Sequence, residues 1–529
     1  MFMSIMDLPK FNKRNLMCEL KKLKNRPNAL LMIIEFVFSP VIQSLINELN
    51  SKFDSNVGRP AYPREMLLGV LLYCFHLKME NLIEVERECS KNRFLRIFTC
   101  NTEPKSSTFK RFLEESDRIV IKKIFIATLV KLNDLRFLNF TKLFLDGTDA
   151  LVNGSKHYKI TLDEINALKQ LKKWNILHNN TKNSINRTKL ILEEKLEIYA
   201  HDEEKLKLIN LALKRIELYN IRMYKKRKEF EQILLERGTK YVCITFPSAV
   251  MMQTKKGMYN YALNLQEWMT ENHIIINGTL IEEPNDHYSI KYLLNDLKET
   301  FDILIEMQEK FGERRNYREI QKRIDEMIII ADSGYFTDEN MYALEQEKIR
   351  YIIMPKSISQ QVNNNFRKMK GLPVKYGKNP ETSKKKFRRV KNGYICPFDR
   401  FIEFKSVNTI NFRKKDVSHL PERMIEKSYK FKSVSCRGCP YIDTCKHKSI
   451  EERISPLQYE MIEKFTDKRY NKLYKQRFPI SEGINGFIKS TNGIFKLISP
   501  NKKAADNELM LRNTLYNLIR TVNLKGTAY

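Results

Sequence analysis

Three acidic residues have the types and the placement expected of ligands to divalent metal ions. Asp146 ends the apolar run FLD, Asp332 ends the apolar run IIIAD, and Glu482 opens a predicted helix near an arginine and a lysine. Cutting a phosphodiester at neutral pH needs an activated water and a charge sink for the leaving oxygen. Two Mg²⁺ or Mn²⁺ ions about 4 Å apart, held by carboxylates, supply both. We therefore predict a two-metal centre at Asp146, Asp332 and Glu482.

Each of these signals is weak when it is taken alone. An aspartate at the end of a strand is as often a turn or cap residue as a catalytic one. Asp149 and Asp286 are rivals for the two aspartates, and Glu508 is a rival for Glu482. The order of the acids along the chain, and the elements that carry them, make the combined pattern more specific.

The elements around the two aspartates predict a multidomain α/β fold with one mixed sheet. Short apolar runs predict strands at KLFLDGT, YNYALNLQ, HIIINGTLIEE, EMIIIADSGYF and RYIIMP, and amphipathic helices separate the last three runs. In an RNase H-like sheet of this order the first and fourth strands are neighbours. We therefore expect Asp146 and Asp332 to converge.

The first 135 residues predict a helical unit. GRPAYPREMLLGVLLYCFHLK carries apolar residues at helical spacing, NLIEVERECSKN predicts a second helix, and NTEPKSSTFKRFLEES predicts a turn, a Ser/Thr cap and a third helix. Lys110 and Arg111, placed near the start of that third helix, suit a helix-turn-helix that binds DNA. A plain helical bundle explains the same pattern equally well.

Two further segments interrupt the α/β pattern. From about residue 161 to 236, apolar residues at three- and four-residue steps predict a helical hairpin or coiled coil that packs and carries no chemistry. The segment from about 360 to 455 is basic, and its run KKKFRRV from Lys384 is expected to add salt-sensitive affinity for nucleic acid. The apolar stripe of the first segment consists of Leu206, Ile209, Leu213, Ile216 and Met223.

Four cysteines in the second of these segments have the spacing of a structural zinc site. Cys436-x2-Cys439 is followed by Cys445, and Cys396 lies upstream. Four thiolates around Zn²⁺ would staple a small module that has little core of its own. His447 could replace Cys396 as the fourth ligand, and reduced, buried cysteines without metal are the alternative.

Charge and hydropathy limit the partners and the compartment. The 529 residues include 94 Lys+Arg and 63 Asp+Glu, a formal net charge of +31, which favours nucleic acid as a partner over merely solvated lysines. The start of the chain lacks a secretory-signal pattern, and the most apolar stretch, from Ala29, is too short to span a bilayer. We expect a cytoplasmic, nucleoid-associated protein without a membrane partner, whose nine cysteines stay reduced.

Several blocks of the sequence resemble the DDE-type transposases of bacterial insertion sequences, the large group with an RNase H-like catalytic domain. The resemblance covers nearly the whole chain. GRPAYPREMLLGVLLY through SSTFKRF resembles the N-terminal helical domain of the group, and FLDGTDALVNGSK resembles its first-aspartate block. MMQTKKGMYNYALNLQ and EEPNDHYSIKYLL resemble the two blocks that follow, and IIIADSGYFTDEN resembles the second-aspartate block. Relatives in this group also carry a similar cysteine-rich insertion.

The C-terminal part resembles the family signature Tyr-x2-Arg-x3-Glu-x6-Lys through Tyr474, Arg477, Glu482 and Lys489. Four residues separate Arg477 from Glu482 where the family has three, and we expect a loop that contains Pro479 to absorb the extra residue. By resemblance, Arg477 and Lys489 would hold DNA phosphate and Tyr474 would pack near the terminal bases. A solvated basic helix face is the alternative for the two cations.

The resemblance also implies a reaction and its partners. Water would attack the phosphodiester at the end of the mobile element, and the freed 3′-hydroxyl would attack target DNA in line, with two Mg²⁺ (or Mn²⁺) ions and a structural Zn²⁺ as cofactors. The partner would be double-stranded DNA, both terminal inverted repeats and target, held by a homodimer. The alternatives are an RNase H-like nuclease without strand transfer, a decayed relative that only binds DNA, and a zinc-dependent nucleic-acid-binding protein whose acids are incidental.

The predicted organisation follows from these segments. It comprises an N-terminal helical DNA-binding domain (1–135), an RNase H-like core in two pieces (136–160 and 237–358), a helical hairpin insertion (161–236), a basic Cys-rich, zinc-ribbon-like insertion (359–455) and C-terminal helices that complete the core (456–529).

Overall fold

The computed structural model contains one large mixed sheet, one smaller antiparallel sheet, a two-stranded sheet formed by Lys159–Ile160 and Val242–Cys243, and many helices. It describes residues 28–51, 61–155, 157–179, 182–253, 258–287, 289–372, 386–410, 417–433, 436, 438–443, 445, 449–488 and 495–527. Its strands are β1 Lys142–Leu151, β2 Lys159–Ile160, β3 Val242–Cys243, β4 Val250–Gln253, β5 Tyr259–Thr270, β6 Ile275–Ile281, β7 Ile328–Ala331, β8 Arg350–Ile353, β9 Arg388–Val390, β10 Gly393–Ile395, β11 Phe401–Thr409, β12 Lys427–Ser433, β13 Ser449–Ile454 and β14 Phe495–Lys496.

The helices lie before, between and after these strands. They are α1 Asn28–Val37, α2 Pro40–Ser51, α3 Arg64–His76, α4 Leu82–Lys91, α5 Arg93–Phe98, α6 Ser106–Glu115, α7 Arg118–Asp134, α8 Leu162–Lys173, α9 Lys182–Ile198, α10 Glu203–Lys214, α11 Ile221–Arg237, α12 Ile290–Phe311, α13 Arg314–Asp325, α14 Asp338–Gln346, α15 Lys356–Met369, α16 Pro456–Lys464, α17 Lys468–Lys475, α18 Arg477–Ile488 and α19 Lys502–Thr527.

The large sheet has the mixed topology that the sequence predicts. Its strand order is β4–β5–β1–β7–β8, β6 also pairs with β5, and β14 pairs with the end of β1. β1 is antiparallel to β5 and parallel to β7, and β7 is parallel to β8. Since β7 is the fourth of the strands that the apolar runs predicted, the expected pairing of the first and fourth strands is confirmed. β1 and β7 read as apolar runs because helices cover the sheet, as is usual for buried parallel strands.

The N-terminal helices share a core with the large sheet. Buried side chains from Met32 on α1 to Leu132 on α7 belong to the same apolar cluster as Phe144 on β1 and Leu515 on α19. The prediction of helices is confirmed, and the structure adds that their core is continuous with that of the large sheet instead of separate from it. The predicted Ser/Thr cap of α6 is wrong, because no side chain caps the helix at Lys105 and Glu86 accepts from the backbone N–H of Ser106 instead.

The segment predicted as a helical hairpin contains four helices, α8 to α11. They enclose an apolar cluster of their own, which includes Ile209, Met223 and Phe230. The predicted stripe is not on one helix, because α10 ends at Lys214 and a short 3-10 turn separates it from α11. The hairpin prediction is therefore right in secondary structure and wrong in the number of helices.

The cysteine-rich segment forms the second sheet, in the order β13–β12–β11–β10–β9, with every pair antiparallel. Its buried apolar residues give this module more core than the sequence indicated. They are Phe387, Tyr394, Ile402, Tyr429, Phe431 and Ile450.

None of the helices that the structure describes is by itself both long and apolar enough to cross a membrane. One bent pair, Leu31–Val37 with Pro40–Ser51, passes such a test by length and composition only.

Candidate functional site at the β1–β7 edge

Neighbouring parallel strands bring Asp146 and Asp332 together. The pairing of Leu145 with Ala331 places the next residue of each strand, Asp146 and Asp332, side by side. Asp332 lies just beyond the last residue of β7, where its Oδ1 accepts a hydrogen bond of 2.7 Å from the backbone N–H of Gly334. Asp332 therefore follows its strand as the sequence predicted, whereas the predicted strand end at Asp146 is wrong, because β1 continues from Asp146 to Leu151. The predicted convergence of the two aspartates is still met, since it depends only on the pairing of the two strands.

A buried arginine lies between the two carboxylates. Nη1 of Arg477 is 2.9 Å from Oδ1 of Asp146, and Nη2 is 3.6 Å from Oδ2 of Asp332. Arg477 is only 7% exposed. Burial disfavours its charge, but the nearby Asp146, Tyr474 and Asp332 outweigh this and raise the pKa of Arg477 above its usual value. The centre thus holds a permanent cation at the point where two acids meet.

Asp332 is the more perturbed of the two acids. Burial raises the pKa of its carboxyl above the usual value, the charge of Arg477 and the hydrogen bond from Gly334 lower it, and the negative charges of Asp146 and Asp286 raise it further. A group that is costly to ionise in the metal-free fold gains most from a nearby divalent cation, because the cation favours the carboxylate form.

Glu482 does not join the two aspartates in this conformation. Helix α18 begins at Arg477, so Pro479 lies in its first turn, and the expected loop that would absorb the extra residue is absent. Because each helical residue rotates the side chain by about 100°, the residue four positions after Arg477 shares its face and the fifth is turned away. That fourth residue is Ser481, which is buried and donates to the carbonyl of Arg477, whereas Glu482 is exposed.

Close packing holds α18 in this rotation. A Cβ at Gly483 would lie 3.1 Å from Nδ1 of His273, at the β5–β6 turn, so the helix approaches that turn through a residue without a side chain. Tyr474, one turn before Arg477, is buried against Phe465 and Phe478. Lys489 lies outside the described residues.

A polar cluster that the sequence did not predict as a unit lies beside Asp332. Oδ1 of Asp286 accepts hydrogen bonds from Asn264 at 2.8 Å and Gln266 at 2.7 Å, and the hydroxyl of Tyr335 donates to Oε1 of Gln266. Asn264 and Gln266 point to the same face of β5. The available signal was a pair of buried polar residues at alternate positions of β5, since buried polar groups require partners.

The remaining rivals and DNA-binding candidates are placed as follows. Glu508 is fully buried and accepts from the backbone of Ile498 and Ser499, so it supports a turn. Asp149 pairs across β1 and β5 with Asn264. Lys110 and Arg111 lie in the middle of α6, not near its start, and are exposed beside Glu114 and Glu115.

The basic run KKKFRRV is only partly available to a partner. Arg389 is 9% exposed, its Nη2 contacts Glu463, and its guanidinium lies over the rings of Tyr394 and Phe431. It therefore serves the packing of the small sheet, while Lys384 lies outside the described residues.

The four predicted zinc ligands face one small cavity. Cys396, Cys436, Cys439 and Cys445 all line it, and the backbone N–H groups of Phe398 and Arg400 donate to Sγ of Cys396 at 3.4 and 3.3 Å. In the described part of the chain, however, no three His, Cys, Asp or Glu side chains stand close enough to hold a metal ion, here or at the aspartates. His447 is outside the described residues, and the zinc site stays a prediction.

Comparison with protein families identifies two regions of the chain. Residues 19–115 match the family described as Transposase domain (DUF772), and residues 307–518 match the family described as Transposase DDE domain. The chain belongs to the DDE-type transposases of insertion sequences. In this transposase the second match spans Asp332 and Glu482 but begins after Asp146. Comparison with curated proteins and with solved structures gave no match.

Proposed function

We propose that this transposase binds the ends of its mobile element and catalyses metal-dependent cleavage and strand transfer at Asp146 and Asp332. The observation that carries the proposal is the pair of carboxylates on neighbouring parallel strands with a guanidinium between them. A phosphoryl-transfer centre of this kind needs carboxylate oxygens close enough to share the charge of divalent cations.

The residues present fit divalent cations. Mg²⁺ and Mn²⁺ prefer oxygen ligands, and Asp146 and Asp332 offer carboxylate oxygens already directed at one positive group. Bound there, two such ions would supply Lewis acidity for the attacking and leaving oxygens. The third carboxylate that the sequence predicts, Glu482, is proposed to complete the set in the DNA complex, which requires α18 to turn about its axis.

The side chains around the carboxylates have separate proposed tasks. Arg477, released from Asp146 and Asp332 when other cations neutralise them, would hold a phosphate of the DNA end, because guanidinium matches phosphate geometry. Tyr474 is buried behind Arg477, with its ring 5.9 Å from the guanidinium, and keeps that side chain directed at the strand ends. Lys489 is proposed as a second phosphate contact.

Double-stranded DNA is the proposed partner, and the charge of the chain supports it. A formal net charge of +31 gives a polyanion a large, salt-sensitive binding term. Lys110 and Arg111 on α6 are exposed and are proposed to contact the terminal repeats. A homodimer is proposed because both ends of an element must be held together during transfer.

Structural zinc is proposed for the cysteine-lined cavity. Sγ of Cys396 already accepts hydrogen bonds from two backbone N–H groups, which fixes its orientation toward the cavity, and cysteine sulfur is a preferred ligand of Zn²⁺. Metal analysis of the purified full chain tests this proposal. We expect about one zinc ion per wild-type chain. In Cys439→Ser we expect both the zinc and the fold of the small sheet to be lost. Wild-type protein that is folded but free of zinc would contradict the proposal.

One observation favours a second candidate, a decayed relative that binds DNA without cutting it. The position of α18 that shares the buried face of Arg477 holds Ser481, and the exposed Glu482 lies one residue further along. If α18 cannot rotate in the DNA complex, the centre has two carboxylates where the reaction needs three.

The experiment is cleavage and joining of labelled DNA that carries the sequences flanking the gene, with Mg²⁺ or Mn²⁺ and with chelator. The proposal expects cuts at one flank boundary and joined product, both lost with chelator. Nicking without joining supports a nuclease, and binding without cleavage supports the decayed relative.

A further inference from the structure

The segment that begins at Asp286 is tied by hydrogen bonds to the turn that carries Asp332. Nδ1 of His287 donates to the carbonyl of Gly334 at 2.9 Å, and Oγ1 of Thr337 donates to the carbonyl of His287 at 2.8 Å. These hydrogen bonds hold the two segments together, because separating the segments would break bonds between partly buried polar groups.

Asn340 adds a second tie between the same two segments. Its amide nitrogen donates to the carbonyls of Asp286 at 3.3 Å and Tyr335 at 3.2 Å, and its Oδ1 accepts from the backbone N–H of Ile290 at 3.1 Å. Asn340 is 1% exposed, so each of these bonds is shielded from water.

The side chain of Asp286 has its orientation set from β5. Tyr335 orients the amide of Gln266 by donating to its Oε1, and Gln266 and Asn264 then both donate to Oδ1 of Asp286. The other oxygen, Oδ2, is thereby turned toward the Asp332 turn. A Cβ at Gly334 would lie 3.0 Å from Oδ2 of Asp286 and 3.0 Å from Oδ1 of Asp332, so both carboxylates border one glycine.

Gly147, the residue after Asp146, leaves room for this arrangement. A Cβ at Gly147 would lie 2.6 Å from Nε2 of Gln266 and 3.0 Å from Oδ1 of Asp286. The side-chain amide of Gln266 therefore lies against the backbone of β1 at Gly147, where that strand has no side chain. The cluster touches the backbone beside both candidate metal ligands.

A purely structural role would not require a charge at position 286. The two amides that hold Asp286 are neutral, and in the described part of the chain no lysine or arginine forms an ion pair with its carboxylate. An asparagine could accept the same two hydrogen bonds. The negative charge of Asp286 repels that of Asp332, and like-charged groups placed side by side are typical of functional centres.

We propose that Asp286 is a positioning residue of the catalytic centre. Held by Asn264 and Gln266, it supports the turn that carries Asp332 and adds a negative charge that draws divalent cations to Asp146 and Asp332. This inference rests on the proposed metal-dependent function, and it assigns to Asp286 no direct contact with the reacting atoms.

The test is Mn²⁺ binding to the full-length chain, monitored by electron paramagnetic resonance of free Mn²⁺. Asp286→Asn keeps the two hydrogen bonds at Oδ1 and removes the charge, so we expect its dissociation constant for Mn²⁺ to rise roughly tenfold. The matched control is Asp302→Asn, which removes one exposed charge from α12, the helix that follows Asp286, and should leave the constant unchanged. Tyr335→Phe, which frees the amide of Gln266, should raise the constant by a factor of roughly two to five.

The outcomes separate this inference from the proposed function. Unchanged Mn²⁺ affinity in Asp286→Asn overturns the inference, as does an absence of Mn²⁺ binding by the wild-type chain. If the wild-type chain binds Mn²⁺ more tightly than Asp286→Asn but neither cleaves DNA, the inference stands and the proposed function fails. If cleavage by both needs the same Mn²⁺ concentration, the proposed function stands and the inference fails. If the circular dichroism spectrum of Asp286→Asn shows that this variant does not fold like the wild type, Tyr335→Phe takes its place in the comparison.

Discussion

The two strands and the helix that carry the candidate site differ in how tightly sequence position determines side-chain direction. On β1 and β7 the side chains alternate with a period of two, and one parallel pairing is enough to place Asp146 beside Asp332. On α18 one extra residue rotates the side chain by about 100° and moves the acid from the face of Arg477 to solvent. Strand-borne ligands are therefore more predictable from sequence than a helix-borne ligand whose helix start is unknown.

The largest expected effect comes from the strand side of this comparison. Asp146→Asn and Asp332→Asn should each reduce metal-dependent DNA cleavage by roughly a thousandfold or more, because each removes a charged metal ligand. DNA binding, measured by mobility shift, should be nearly unchanged, since the basic surface is intact. Weakened binding with retained cleavage in either variant contradicts the assignment.

The role of the helix-borne acid is tested by removing the charge of Glu482 and by moving the glutamate one residue back, to position 481. If Glu482 is the third ligand, Glu482→Gln should reduce cleavage by roughly a hundredfold or more, because one metal ligand loses its charge. This change leaves the packing of the adjacent Gly483 against His273 untouched, so α18 should keep its place. The double variant Ser481→Glu with Glu482→Gln places a glutamate four residues after Arg477 and should recover cleavage without any rotation of α18. If Glu482→Gln cleaves normally, the third carboxylate is not Glu482.

An effect of intermediate size, on thermal stability, is expected from replacing Arg477, the helix residue that contacts both aspartates. Arg477→Ala leaves Asp146 and Asp332 close together without a buried cation, so the thermal midpoint of the metal-free protein should fall by several degrees. Mn²⁺ should restore more of the midpoint in this variant than it adds to the wild type. Arg111→Ala, an exposed arginine on α6, is the control. Equal midpoints for Arg477→Ala and wild type would show that the guanidinium does not stabilise the acid pair.

The smallest effect is a gain in stability. Because the fold raises the pKa of Asp332, mainly by burial, ionising this carboxyl costs stability above the pKa of an unfolded aspartate. Asp332→Asn should therefore raise the thermal midpoint of the metal-free protein at neutral pH. The gain should shrink as the pH falls through the folded pKa, where the wild-type carboxyl becomes protonated. Thermal unfolding of both proteins across this pH range tests the sign, and a lower midpoint for Asp332→Asn at neutral pH contradicts it.

Much of the large sheet was predictable, because short apolar runs that end in an acid and a glycine are typical of buried strands. The runs around Asp146 and Asp332 became β1 and β7, and their pairing was confirmed. The role of Asn264 and Gln266 was not predictable from the strand alone. Their partner, Asp286, lies about 20 residues away in the chain, and only folding brings it to the same glycine as Asp332.

The packing of the N-terminal helices was also outside the reach of sequence patterns. The spacing of apolar residues predicted that α3 and α7 are helices, but it does not indicate which part of the protein packs against their apolar faces. The structure places these helices in one core with the sheet and with α19.

The sequence by itself determined most strands of the large sheet and many of the helices, that Asp146 and Asp332 belong to neighbouring strands or their ends, and that the chain is strongly basic. Those properties depend on local periodicity and on composition, which can be read directly from neighbouring residues in the chain. Only the tertiary structure decided that Arg477 lies between the aspartates, that Ser481 and not Glu482 shares the buried face of Arg477, and that Asp286 borders the Asp332 turn. These three features depend on the rotation of one helix and on contacts between segments that are distant in the chain. Tertiary packing determines both, whereas the pattern of neighbouring residues does not.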